Sequence, residues 1–275
     1  MQKSTTKARR IPVTAMFGLT VITVFCLMAL FAPLIAPYSE TEIVGIEFAP
    51  WGGDFILGTD NLGRDMATRL IFGARNTIGI AIVTTVLAFL VGGLLGMVAG
   101  TLRGWVDQVL GRTVDILMAV PSLIFTMLLL SIFGTSIVSM IIVIAAVEST
   151  RIFRLARSLA LGIGVLDYVE AAKLRGEGLA WLIAREILPN AVAPLIAEFG
   201  LRFCFVFLFI ASLSFLGLGI QPPTADWGSM VRENAALITY GDITPLLPAG
   251  ATALLTVAVN FVVDWMLHRS SGLKD

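Results

Sequence analysis

Charged residues are scarce in this chain. Of its 275 residues only 14% are Asp, Glu, Lys or Arg, and 57% are hydrophobic. A soluble globular domain has about 25% charged and about 45–50% apolar residues. So little charge excludes an ordinary water-soluble fold. The stretches without any charged side chain are 11–39, 76–102, 116–147, 203–225 and 243–263.

Cysteine and histidine are also nearly absent. The two cysteines, Cys26 and Cys204, stand among apolar residues, where cysteine behaves as a small hydrophobe, so we expect no disulfide framework and no metal site. His268 is the only histidine, and no acid–base pair in a convincing context accompanies it. The nineteen basic residues cancel the nineteen acidic ones, so no overall field would attract nucleic acid.

The uncharged stretches predict membrane-spanning helices. About 20 apolar residues at 1.5 Å rise per residue cross a hydrocarbon core of about 30 Å. A membrane β-barrel would instead show shorter segments of alternating polarity. The basic residues before position 11 resemble the start of a signal sequence, but the apolar stretch that follows exceeds the usual core of about 7–15 residues. We therefore expect an uncleaved first span in an all-α, polytopic membrane protein.

The number of spans depends on the stretch 116–147. As one straight helix its 32 residues would measure about 48 Å, and the segment from Phe133 to Ser136 offers a turn near its middle. Splitting it there gives six spans. The expected spans are 12–35, 77–101, 112–132, 136–155, 190–218 and 246–267.

The distribution of Lys and Arg favours six spans over five. Basic residues concentrate in short cytoplasmic loops, and six spans with both termini inside place fourteen of the nineteen basic residues on that side. An unbroken stretch would move the cluster between Arg151 and Arg185 outside. We expect a unit 1–76 with the N-terminal tail, first span and periplasmic loop, and a five-helix core 77–275 with a cytoplasmic loop at 156–190.

Glycine recurs at every fourth position of the second span. Gly92, Gly96 and Gly100 form a small-xxx-small face of the kind that lets two membrane helices approach closely. We therefore expect a helix-packing role for this face.

The cytoplasmic loop contains a short segment with helix signals at both ends. Asp167 is expected to cap a helix, with an acid three residues further on, and Gly176 to end it in a left-handed conformation. Ala171 and Ala172 in its middle are small enough to let another surface approach the backbone. The polar residues beside them are Glu170, Lys173 and Arg175.

This segment, Glu-Ala-Ala-x3-Gly at 170–176 with Leu-Pro-Asn at 188–190, resembles the EAA loop of ABC-transporter permeases. The resemblance extends along almost the whole chain. Gly-Thr-Asp at 58–60 and Ser-Phe-Leu-Gly-Leu-Gly-Ile-Gln-Pro-Pro at 214–223 are similar to the second permease subunit of the dipeptide, oligopeptide and nickel branch.

The resemblance implies the six-span permease fold of type I importers, in a bacterial inner membrane. Its implied partners are a homologous permease, two ATP-binding cassette ATPase subunits and a periplasmic substrate-binding protein that meets 36–76 and 219–245. The EAA helix would dock on an ATPase subunit. The implied coupling residues are Glu170, Ala171, Ala172, Lys173, Arg175 and Gly176, with Asp167, Leu188, Pro189 and Asn190 holding the helix.

The chain has no Gly-x4-Gly-Lys-Ser/Thr phosphate-binding loop. We therefore expect it to bind no cofactor itself, with ATP and Mg²⁺ held by the partner subunits.

Two charges interrupt the fifth span. Glu198 and Arg202 are four residues apart on one helical face, so they can pair. Charged residues within a membrane face a bundle interior or a cavity. Two roles stay open: a paired support between helices, or a contact in the substrate pathway.

Other functional classes have weaker support. Ser4 and Lys7 have a Ser-x-x-Lys spacing but lie in a tail that offers nothing to hold an oxyanion. Asp60, Arg64 and Asp65 could form a catalytic cluster, although a solvated, capped turn beneath the partner permease is favoured. A stand-alone channel would not need a small-residue docking helix. The prediction is a transport subunit of a peptide-type importer, with nickel or another small solute as the alternative cargo.

Overall fold

A computed structural model of the chain describes residues 11–270, with side chains to His268. Within that range the regular structure is helical, and extended pairing is limited to isolated bridges in the segment 43–65. The helices are α1 Val13–Leu30, α2 Ala32–Ile35, α3 Met66–Leu102, α4 Gly104–Ala119, α5 Ser122–Phe133, α6 Ile137–Ile163, α7 Asp167–Leu174, α8 Leu179–Trp181, α9 Leu188–Phe215, α10 Trp227–Asn234 and α11 Leu246–Ser270. A π-helical turn, Leu182–Ile187, joins α8 to α9, and a 3₁₀ helix, Ala235–Tyr240, follows α10.

The prediction of an all-helical, polytopic membrane protein is confirmed. In the described part of the chain, four helical segments are long and apolar enough to cross a membrane: α1, α3, the continuous run Leu179–Phe215, and α11 as far as His268. The pair α4 and α5 makes a fifth if it is counted as one broken span. The fourth expected span, 136–155, falls on α6, whose apolar sequence is interrupted by Glu148, Arg151 and Arg154. Six spans and cytoplasmic termini therefore stay predictions.

The third expected span, 112–132, is wrong as a single helix. The chain bends by 90° between α4 and α5, and α4 begins at Gly104 rather than near Arg112. Pro121 explains the break, because it lacks a backbone N–H and disfavours the helical conformation for the residue before it. Val120 is accordingly extended, with ψ of 133°.

The expected turn after α5 is confirmed. α5 ends at Phe133, and Gly134 adopts a φ of +85° that favours glycine. The Ser136 hydroxyl then accepts a hydrogen bond from the Ser139 backbone N–H at 3.1 Å and caps α6. Such an N-cap satisfies one of the unpaired amides at a helix start.

The glycine face of α3 packs directly on α6. A Cβ added to Gly92 would lie 2.2 Å from the Ser149 carbonyl oxygen, and one added to Gly96 would lie 2.5 Å from that of Phe153. A Cβ added to Gly100 would lie 2.7 Å from the Arg157 carbonyl oxygen, on the next turn of α6. The predicted helix-packing role is confirmed, because only glycine permits this backbone separation.

Trp227 joins four helices at one end of the bundle. It is fully buried at the start of α10, and its ring makes edge contacts with Phe25 of α1 and Phe207 of α9 at centroid distances of 5.4 and 6.0 Å. Its indole N–H donates to the Leu70 carbonyl of α3 at 3.0 Å. The polar atom is thereby satisfied within an apolar core.

A buried ionic cluster fixes the 36–65 segment against α3 and α10. Asp60 accepts hydrogen bonds from Arg64, at 2.7 Å, and from Arg69. Glu233 of α10 lies 3.3 Å from Arg64 and 3.2 Å from Arg69. Burial raises the pKa of Glu233, and the positive charge of Arg64 acts in the opposite direction.

The expectation of a solvated turn at Asp60, Arg64 and Asp65 is wrong, since all three residues are buried. The turn is nevertheless capped, because Asp65 accepts from the Thr68 N–H at 2.7 Å and begins α3. Arg69, four residues after Asp65, and Glu233, from a distant part of the sequence, complete the cluster.

Candidate functional site

The loop between α6 and α9 folds into the short helix expected from its sequence. α7 begins at Asp167, but the N-cap residue is Leu166 and no side chain caps the helix, so the predicted Asp167 cap is wrong. Asp167 and Glu170 lie in the first turn instead, where negative charge favours the helix dipole.

The end of α7 is as predicted. Gly176 has a φ of +81°, and its N–H donates to the Lys173 carbonyl at 3.0 Å, while Glu177 donates to Ala172 at 3.3 Å. These bonds pair carbonyls that would otherwise be left without partners at the helix end.

The two alanines of α7 face opposite ways. Ala172 is fully buried and packs with Val169 and Leu182 of the same loop. Ala171 is exposed. Only Ala171 is therefore available to another surface, whereas Ala172 allows α7 to lie close to its own chain.

An exposed face of α7 surrounds Ala171. Tyr168 and Leu174, three residues away on either side, are 41% and 90% exposed, and residues at this spacing share one side of a helix. Arg175 extends this face and lies over the Trp181 ring at 5.8 Å. Lys173 instead binds within the chain, since its ammonium donates to the Gly164 carbonyl at 3.0 Å.

The residues Leu188, Pro189 and Asn190 are exposed at the start of α9. Pro189 lacks the N–H that would bond to the Arg185 carbonyl, which accounts for the widened π-helical turn before it. Asn190 donates from its amide to the Glu186 carbonyl across this turn at 2.6 Å.

The buried support of α7 consists of Val169, Ala172 and Leu182. Sequence reasoning missed Val169 and Leu182, although the three-residue spacing of Val169 and Ala172 was a signal for a buried side of α7.

The charged pair of α9 is part of a larger cluster. Arg202 donates to Glu198 at 2.5 Å, which confirms the predicted pairing. Its second guanidinium nitrogen lies 3.6 Å from a carboxylate oxygen of Glu148 on α6, and its guanidinium lies 4.9 Å from the Phe205 ring. Glu148 also lies 4.0 Å from Arg151. The cluster therefore bridges α6 and α9, and Glu148 is the member that sequence reasoning missed.

A polar groove of about 810 Å³ separates α4 from α6. Ion pairs cross it: Asp115 accepts from Arg154 at 2.6 Å, and Asp107 binds Arg157. These pairs hold the half of the broken helix that precedes Pro121 against α6.

Residues 11–270 contain no group of three or more His, Cys, Asp or Glu side chains arranged to hold a metal ion. The Ser4 and Lys7 pair lies outside the described residues.

Comparison with known proteins gives the context of these features. Residues 92–271 match the family described as the binding-protein-dependent transport system inner membrane component, and residues 13–50 match the N-terminal TM domain of oligopeptide transport permease C.

Three relatives are similar along most of their length. The dipeptide transport system permease protein DppC of Alkalihalophilus pseudofirmus is 34% identical over 95% of this chain and 84% of its own. The di/tripeptide permease DppC of Pseudomonas aeruginosa is 39% identical over 92% and 82%, and the dipeptide permease DppC of Haemophilus influenzae is 32% identical over 95% and 88%. The chain therefore belongs to the family of binding-protein-dependent transport system inner membrane components.

Proposed function

We propose that the chain is a permease subunit of an ATP-driven importer whose cargo is short peptides. Membership of the family makes it a transport subunit and not an enzyme. The peptide cargo rests on the relatives, which are named for dipeptide and di/tripeptide transport. These names favour peptides over nickel.

The exposed face of α7 is the observation that carries the coupling mechanism. Its small residue, Ala171, lies between the exposed side chains of Tyr168 and Leu174, and Val169 and Ala172 anchor its back. An ATPase subunit that accepts this face would move α7 as a unit. The π-helical turn joins α8 to α9, and α7 packs on Leu182 of that turn through Val169 and Ala172, so that displacement would reach a membrane-spanning helix.

The whole of the sequence-predicted coupling set belongs to this proposal, with divided roles. Glu170, Ala171 and Arg175 are exposed and would contact the ATPase, while Ala172, Lys173 and Gly176 fix the helix. Asp167 favours the helix start through its charge. Leu188, Pro189 and Asn190 shape the turn into α9.

The proposed assembly has two homologous permeases, two ATPase subunits that hold ATP and Mg²⁺, and a periplasmic binding protein. The chain supplies one wall of the pathway in a bacterial inner membrane. Its six spans, cytoplasmic termini, and division into 1–76 and 77–275 are part of the proposal. The binding protein would meet the surface formed by 36–76 and 219–245.

The proposal is tested by Ala171→Glu in the complex reconstituted with its partners in proteoliposomes. A charged side chain prevents close approach at the exposed face and leaves the buried face intact, so we expect at least a tenfold loss of ATP-dependent dipeptide uptake, about 1.4 kcal/mol of coupling free energy. Co-purification with the ATPase should fall in parallel.

The matched control is Ala180→Glu, the same change at an exposed alanine of the neighbouring helix α8. It should retain uptake and co-purification. An equal loss in both variants would contradict docking on α7, and uptake that continues without ATP would favour a channel.

A further inference from the structure

One side of α9 is only partly covered within this chain. At 3.6 residues per turn, five residues of α9 and the position just after it fall on a single stripe, and none of the six is fully buried. The opposite side, which includes Phe203, Phe207 and Ile210, is buried in the core. The stripe consists of Glu198, Arg202, Phe205, Phe209, Ser212 and Leu216.

The charges on this stripe indicate what covers it. An ionised side chain facing lipid tails is costly, and intramembrane charges face a bundle interior or an aqueous cavity. The stripe also runs into a groove of about 460 Å³ at the end of α9, which Ser212 and Leu216 line together with Trp227. The part of this side that α6 leaves uncovered is therefore expected to face the pathway rather than lipid.

Arg202 is bound unequally by its two carboxylate neighbours. It lies 2.5 Å from Glu198 of its own helix but 3.6 Å from Glu148 of α6. The facing atoms, one Glu148 carboxylate oxygen and one Arg202 nitrogen, have no hydrogen-bond partner among the described residues. Glu148 is buried, whereas the Glu198 side chain is 20% exposed on the stripe.

An unpaired buried carboxylate oxygen is unfavourable. The second oxygen of Glu148 lies 4.0 Å from the guanidinium of Arg151. A small movement of Arg202 toward α6 would complete the pair with Glu148 and leave Glu198 free for another cation.

We propose that Glu198 binds the terminal ammonium group of a peptide in transit, and that Arg202 moves from Glu198 to Glu148 when this happens. This inference rests on the proposed peptide cargo. Each carboxylate keeps one cation throughout the exchange, so no uncompensated charge is created within the membrane. Glu198 is then a substrate contact, and Glu148 and Arg202 are positioning residues.

The test uses the purified complex without binding protein, so that receptor selectivity does not enter. Saturation-transfer NMR would compare a dipeptide with its N-acetylated form, which lacks the ammonium. We expect a signal from the free dipeptide that is about tenfold stronger, the size expected for one charge-assisted hydrogen bond. Glu198→Gln should remove this preference, and Glu198→Asp should retain most of it.

Glu148→Gln should reduce the preference without abolishing it, because Arg202 would lose the partner that receives it. The control is Asp115→Asn, which removes an exposed carboxylate from an ion pair with Arg154 and should leave the preference unchanged. Size-exclusion chromatography would show that each variant assembles.

Equal signals from both peptides in the wild-type complex, or an unchanged preference in Glu198→Gln, would overturn the inference. ATP-dependent dipeptide uptake by the wild-type complex with its binding protein is measured separately. Its absence would contradict the proposed function itself.

Discussion

At the scale of single residues, buried polar groups decide how the connecting segments attach to the helices. Asp226 is fully enclosed by protein, where it accepts a hydrogen bond from the Thr77 hydroxyl of α3 at 2.9 Å and caps α10 through the Ser229 N–H at 2.9 Å. The Thr77 hydroxyl in turn accepts from the backbone N–H of Trp227 at 3.3 Å. One carboxyl thus joins α3, α10 and the buried tryptophan.

Replacing Asp226 distinguishes its shape from its charge. Burial raises the pKa of Asp226, while hydrogen bonds, first that from Ser229, act in the opposite direction. Asn keeps an acceptor without the buried charge, so we expect Asp226→Asn to retain stability. Asp226→Leu leaves Thr77 and the helix start without an acceptor and should cost about 1–3 kcal/mol. Thermal unfolding in detergent, followed by tryptophan fluorescence, measures both.

The same carboxyl predicts a pH effect. Because its pKa is higher in the folded chain than in the unfolded chain, the folded chain binds the proton more readily. Its contribution to the free energy of unfolding should therefore grow as the pH falls from the raised pKa toward the ordinary value of 3.8. Asp226→Asn should lack this contribution. An identical pH profile for wild type and Asp226→Asn would contradict the assignment.

At the scale of helices, the α3–α6 contact depends on glycine. A methyl group on Gly96 would meet the Phe153 carbonyl at 2.5 Å, whereas one on Gly79 of the same helix would meet nothing within 4 Å. We expect Gly96→Ala to separate the helices and lower thermal stability. Gly79→Ala should be neutral or slightly stabilising, since alanine favours the helix by about 1 kcal/mol. Equal stability of both variants would contradict the packing role.

Local signals in the sequence predicted much of this helical framework. The glycine repeat, the turn at Phe133–Ser136 and the left-handed Gly176 follow from the conformational preferences of one or a few adjacent residues. The break at Pro121 was underestimated, because the sequence does not show whether a proline kinks a span or divides it. Glu148 joined the Glu198–Arg202 pair through tertiary contact between α6 and α9, which no local pattern encodes.

The candidate coupling site likewise combines features that local sequence predicts with features that depend on tertiary contacts. Its helix and its exposed Ala171 were predictable from composition and spacing. The burial of Ala172 was not, because it depends on Leu182, which returns to α7 only through the turn at Gly176.

At the scale of the whole molecule, the scarce charges serve two different purposes. Exposed basic residues are concentrated in segments expected to be cytoplasmic, whereas Arg64, Arg69 and Arg202 are paired within the protein. The positive-inside rule concerns residues that must stay in the cytoplasm during insertion. Paired and buried arginines therefore do not count against the proposed orientation.

That orientation predicts opposite sides of the membrane for two exposed surfaces. In a Cys26→Ser, Cys204→Ser background, Leu174→Cys and Tyr240→Cys place thiols at side chains that are 90% and 84% exposed. A membrane-impermeant maleimide applied to intact spheroplasts should label position 240 and not position 174, because six spans place α7 inside. Permeabilised membranes should label both. Ile56→Cys, 76% exposed in the 36–65 segment, is the control for the outer side. Labelling of positions 56 and 174 from the same side would contradict the proposed orientation, which places an odd number of crossings between them.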